Sequence, residues 1–117
     1  DLLKVYKGIA ASSGNSFVHE TESQVILNGS YNINFTMDLV LKDTGLFNEL
    51  AKKLNSSLEI SPMVVDIFKD GQKKYGSRAW SSMIVKRMED LNNISFRAKG
   101  FPEELVDNEV EEKGYEI

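Results

Sequence analysis

The densest set of reactive side chains lies between Lys69 and Trp80, where Lys69, Lys73, Lys74 and Arg78 are interleaved with Tyr75 and Trp80. Cations around aromatic rings suit phosphate or single-stranded nucleic acid, since the charges neutralise the backbone while bases stack on the rings. The chain as a whole is acidic, with a net charge of −4 and a pI near 5.0, whereas nucleic-acid modules carry a basic excess. Specific nucleic-acid binding is therefore not expected. A solvated hairpin loop with its one Trp turned inward fits the pattern. So does a protein contact through Lys73, Lys74, Tyr75, Arg78 and Trp80, because Trp and Arg are favoured interface anchors.

Other candidate chemistry is thinner. His19 is the one histidine and sits in His19-Glu20-Thr21-Glu22, where strand alternation would send neighbours to opposite faces. No second histidine completes a metal site, and no serine lies in a Gly-x-Ser-x-Gly elbow. Gly71 and Gly76 enclose Lys73 and Lys74, but a phosphate loop places its lysine after the second glycine. Glu89-Asp90 and Glu103-Glu104 are adjacent pairs that read as solvated charge rather than as a general acid and base. The expectation is a protein that is not an enzyme, with no cofactor, no metal and no small-molecule substrate.

The 117 residues suffice for one domain, and 41% apolar with 27% charged residues is ordinary globular composition. With no cysteine, disulfides and thiolate metal sites are excluded. No apolar run approaches the ~20 residues that span a bilayer, and no basic-then-apolar leader opens the chain. Four Asn-x-Ser/Thr triplets begin at Asn28, Asn34, Asn55 and Asn93; chance in a chain rich in Asn and Ser accounts for them. From Glu103 onward seven acidic residues face Lys113 alone, a net of −6, so the remainder is +2. This divides the chain into a globular body, 1–102, and an acidic tail, 103–117.

The elements that would position these groups are read mainly as strands. Asp1 to Ala11 suits a helix or a small hairpin, the Val5-Tyr6 pair and Gly8 tipping it toward strand. Phe17 to Leu27 reads as a strand, Asn28-Gly29 as a type I′ turn, and Tyr31 to Leu41 as an alternating strand with Tyr31, Ile33, Phe35, Met37, Leu39 and Leu41 on one face. A helix over about residues 44–55 follows, capped by Asp43 or Thr44, with Leu46, Phe47, Leu50, Ala51 and Leu54 as its buried stripe. Truncating Leu50 to Ala is then expected to cost about 2–5 kcal/mol. Leu58 to Ile60 and Met63 to Phe68, Ala79 to Leu91, and Ile94 to Phe101 complete the strands, with Pro62 at an edge or bulge. The fold class is α+β, mainly β: an antiparallel sandwich or barrel with one flanking helix.

This order of elements, carried by Gly29-Ser30-Tyr31-Asn32-Ile33-Asn34-Phe35, Leu46 to Leu54, Gly76-Ser77-Arg78 and Ile94 to Leu105, resembles the tail tube subunits of contractile phage tails and prophage-derived tails. The resemblance implies a structural subunit that assembles with copies of itself and other assembly proteins into rings or tubes, in a virion or the cytoplasm of a bacterial host. Two other readings stand beside it: a small monomeric inhibitor gripping its partner with the 69–80 loop, and an αββαβ ring-building module if Asp1 to Ala11 is helical.

Overall fold

The computed structural model describes residues 1–105 and 114. Most of the acidic tail expected over 103–117 therefore lies outside the described residues. The described residues form five α-helices, α1 (Leu2–Ala10), α2 (Phe17–Asn28), α3 (Met37–Lys53), α4 (Ile60–Tyr75) and α5 (Lys86–Asn92), with a 3-10 turn at Ser81–Val85 before α5. Among the described residues there is no strand, and sheet-like pairing is limited to two isolated bridges, Asn32 with Glu104 and Thr36 with Trp80. The sandwich or barrel with one flanking helix is overturned.

The misleading signals share a physical cause. Asn28-Gly29 does require a positive φ, but a helix end needs it as much as a hairpin does. Gly29, at φ 98, closes α2 by donating its N–H to the Val25 carbonyl at 3.0 Å. Asn34, Asn55 and Asn93 occupy the same left-handed region, which asparagine tolerates better than most residues. Asn28 instead spends its carboxamide on the Phe101 carbonyl, at 3.0 Å. Backbone geometry and this one bond thus account for all four asparagines of the Asn-x-Ser/Thr triplets.

The alternation from Tyr31 to Leu41 is a loop followed by a helix. Tyr31 and Asn34, both at φ 54, prevent an extended run. From Met37 onward the inward side chains are Met37, Leu41, Thr44, Asn48 and Ala51, at the i, i+4, i+7 spacing of a helix face. The helix expected near residue 44 exists, but it starts at Met37 and presents another face. Thr44, expected as a cap, bonds back to the Val40 carbonyl at 2.7 Å. Of the stripe expected to be buried, only Ala51 is; Leu46, Phe47, Leu50 and Leu54 are all more than half exposed. Pro62 lies in the first turn of α4, where a missing N–H costs nothing.

Two devices close the bundle. α1 lies along α2, α3 lies along α4, and the 3-10 turn touches α2, α4 and α5. Gly71, in α4, permits a close approach: a Cβ there would stand 2.6 Å from Ile84 Cδ1 of the 3-10 turn and 3.3 Å from Met37 Sδ. Val25 and Met37 are fully buried, with Leu27, Tyr31 and Ala51 nearly so. No helix among the described residues is long and apolar enough to cross a membrane.

Candidate functional site

A polar cleft is built where the α2–α3 loop meets the segment between α4 and the 3-10 turn. Backbone bonds zip the two together: Met37 N–H to Ala79 O at 2.9 Å, Asp38 N–H to Ser77 O at 3.1 Å, and Ser81 N–H to Phe35 O at 2.8 Å. The buried Ser82 hydroxyl donates to the Tyr31 carbonyl at 2.7 Å, which fixes the sharp left-handed bend there. The result is a cleft of about 390 Å³ lined by Asn32, Ile33, Asn34, Trp80, Glu104 and Leu105. Two carboxamides, a carboxylate and an indole face a space sized for a small polar molecule.

At the start of α3, Asp38 accepts from the Thr36 hydroxyl and pairs with Arg78 at 3.1 Å. The Thr36 bond, with the guanidinium and the Leu39 N–H adding to it, holds the Asp38 carboxyl below its ordinary range despite partial burial. On the other side, residues 94–105 run back across α2 and the α2–α3 loop. Ala98 N–H donates to Leu27 O at 3.0 Å, Ser30 Oγ to Glu103 O at 2.6 Å, and Asn32 Nδ2 to Glu104 Oε1 at 3.1 Å. Behind them lies a buried ionic cluster. Glu89, 3% exposed, accepts from the Tyr31 hydroxyl, from Phe96 N–H at 2.7 Å and from the Arg97 guanidinium at 2.8 Å. Arg97 also donates to the Tyr31 hydroxyl at 2.7 Å and lies 5.1 Å from the centre of its ring. Burial alone would raise the Glu89 pKa; the Tyr31, Phe96 and Arg97 donors outweigh it and hold the carboxyl below the usual range.

The five residues expected to form a protein contact do not share one face. Lys73 is exposed on the last turn of α4, and Lys74 pairs with Asp70 at 3.2 Å, which also holds Arg87 at 2.6 Å. The Tyr75 hydroxyl donates to Asp90 of α5 at 2.7 Å, and burial together with that carboxylate pushes its pKa up to about 12. Arg78 turns to α3, and Trp80 enters the cleft. The stretch Gly71–Tyr75, expected as a loop, is helix. His19 is structural: Nε2 donates to the Tyr6 carbonyl at 3.0 Å, leaving Nδ1 to accept from Ser23 at 3.2 Å, and its ring rests on Tyr6. Among the described residues no group of three His, Cys, Asp or Glu side chains is placed to hold a metal. Asn32, Asn34, Glu89 and Arg97 carried no local signal, since each acquires its role from residues more than six positions away or from a bend invisible to periodicity.

Comparison with known proteins decides the family. A model described as the NAD-binding of NADP-dependent 3-hydroxyisobutyrate dehydrogenase matches residues 1–88. The chain belongs to this family. Curated relatives include an uncharacterized oxidoreductase of Shewanella frigidimarina, 27% identical over 89 residues that cover 76% of this chain and 31% of that protein. An L-threonate dehydrogenase of Haemophilus influenzae is 27% identical over 96 residues, 82% of this chain and 31% of the relative. The chain thus spans about a third of the length of these relatives. No solved structure gives a significant match. These findings overturn the resemblance to tail tube subunits, the reading as a virion assembly protein and the expectation of a non-enzyme: the family is one of dehydrogenases.

A dinucleotide's pyrophosphate favours a glycine-rich turn opening onto a helix N-terminus that is free of negative charge. These 117 residues contain no Gly-x-Gly-x-x-Gly. The helix starts carry carboxylates instead: Asp1 caps α1, Glu20 and Asp38 lie in the first turns of α2 and α3, and Glu59 precedes α4. The residues present do not fit the pyrophosphate.

Proposed function

We propose that this chain is the helical part of a dehydrogenase acting on a short hydroxy acid, and that it contributes the wall of the substrate cleft rather than the dinucleotide cradle. The match of residues 1–88 to the dehydrogenase family carries the reading. The polar cleft beside Trp80 supports it, because its lining suits a small polyhydroxylated molecule. Asn32 and Asn34 offer paired donors and acceptors, Glu104 accepts from hydroxyls, and the indole covers a C–H face. A substrate carboxylate is repelled by Glu104, so an acid such as L-threonate turns its hydroxyls toward that wall. Partners in this reading are the substrate and the remaining parts of the enzyme.

Trp80 is the single tryptophan, so selectively excited tryptophan emission reports on this cleft. Titration with L-threonate and with 3-hydroxyisobutyrate is expected to give a saturable change in Trp80 emission that acetate does not. No change with either acid, in a chain that still melts cooperatively, overturns the substrate reading. Tight binding of NADP(H) or NAD(H) by the isolated chain overturns the assignment of the pyrophosphate to other residues.

A further inference from the structure

We infer that residues 101–105 are a flap over the Trp80 cleft, that it swings about Lys99-Gly100, and that the Tyr31–Glu89–Arg97 cluster is the anchor holding the near end of the strap in place. This deepens the reading of the cleft as a substrate site and rests on it.

The bonds of the 94–105 segment fall into two groups of different character. The first group is buried or half-buried: Glu89 takes Phe96 N–H and Arg97, and Arg97 lies over Tyr31. Low dielectric strengthens these bonds, and undoing them would leave a carboxylate 3% exposed without its counter-charge. The second group closes the cleft, and its side-chain bonds are exposed: Asn28 to Phe101 O, Ser30 to Glu103 O, and Asn32 to Glu104, with the Asn32–Glu104 backbone bridge and an edge-on contact of Phe101 with Tyr6 beside them. Water replaces such bonds at small net cost, so this end opens long before the anchor does. Between the groups, Lys99 and Gly100 are exposed, and Gly100, at φ 91, faces open space where a side chain would otherwise stand. A residue free to rotate and unhindered by neighbours is what a pivot requires.

The moving end also carries the closing groups. Glu104 and Leu105 form one wall of the cleft, facing Asn32, Asn34 and Trp80. When the flap lifts, the cleft loses its carboxylate and its one aliphatic cover from that side, and Trp80 meets solvent. Bound substrate, held between the two walls, favours the closed form by its greater affinity for it. Residues 1–88 match the family and the anchor residues Glu89 and Arg97 follow them, so the flap lies beyond the matched core.

Two ligand-free measurements test this: trypsin cleavage after Lys99, read by mass spectrometry, and acrylamide quenching of Trp80. In the variant combining Asn28→Ala, Ser30→Ala and Asn32→Ala, cleavage after Lys99 is expected to rise at least tenfold and the quenching constant about twofold, with helical circular dichroism unchanged. Arg97→Met with Glu89→Gln, which releases the anchor without orphaning a charge, is expected to do the same and also lower the melting temperature. Quenching and cleavage equal to the parent in the triple variant overturn the flap; a freed flap with an unchanged anchor variant overturns the role of the cluster. Saturating L-threonate is expected to slow cleavage of the parent severalfold. If the ligand-free results hold and no hydroxy acid slows cleavage, the substrate reading fails while the flap stands.

Discussion

The α3–α4 pair and the loop-and-strap region solve opposite problems. Beyond Met37 and Leu41, several inward residues of α3 and α4 are small or polar: Gly71 and Ala51 are buried, and Thr44 and Asn48 are half-buried. Asn48 bridges the helices by donating to Ser61 Oγ at 2.9 Å. The large side chains Leu46, Phe47, Leu50, Leu54, Ile60 and Met63 point outward and are all more than half exposed. In the loop-and-strap region the reverse holds, with Tyr31, Ser82 and Glu89 enclosed and each satisfied by hydrogen bonds. These apolar side chains leave the outer face of the pair uncovered, whereas an enclosed polar network specifies one arrangement of a site. One region is shaped for packing and the other for positioning.

The sharpest way to break this contrast is Glu89→Ala, which removes the acceptor of the Tyr31 hydroxyl, Phe96 N–H and the half-exposed Arg97; a loss of about 1–3 kcal/mol is expected in urea unfolding. The same group sets the acid limit. Because its folded pKa lies below the ordinary 4.5, Glu89 contributes stability that is fully present above that value and is lost as pH falls through the lowered one. Asp38, Asp70 and Asp90, each held below 3.8, act in the same sense, while Glu22, raised by burial, opposes them. Thermal melts from pH 7 to 3 are expected to stay level down to about 4.5 and then fall, as carboxylate linkage requires.

Gly71→Ala comes next. The added methyl meets Ile84 at 2.6 Å, and overpacking of this kind costs about 1–3 kcal/mol. Ser82→Ala removes a buried donor to the Tyr31 carbonyl and is expected to cost about 1 kcal/mol, read by the same denaturation. Leu50→Ala is expected to change stability by less than about 0.5 kcal/mol, since Leu50 is 54% exposed. A loss of several kcal/mol there would show that the outer face is already packed, and would erase the contrast.

Some of this is legible in the chain and some is not. The helix around Leu46 to Leu54 is visible from its spacing, but two apolar faces compete on α3, and periodicity cannot say which turns inward. The inner face is marked by Thr44 and Asn48, which look solvent-facing in the sequence, together with Ala51, which the expected stripe already includes. The expectation of strands fails because left-handed Asn and Gly end helices as readily as they turn hairpins. It fails also because Met37, Leu39 and Leu41 satisfy periods of 2 and 3.6 alike over so short a window. Trp80 stands out in the sequence, yet Asn32, Asn34 and Glu104, which share its cleft, reach it only through the fold.

The close crossing at Gly71 also constrains how this sequence can drift over generations. Positions 37, 71 and 84 share one volume, so their substitutions do not add independently. A descendant in which Ile84 becomes slimmer gains room for a methyl at 71, and one that keeps Ile84 must keep glycine. Across related genomes these three sites should therefore change as a set.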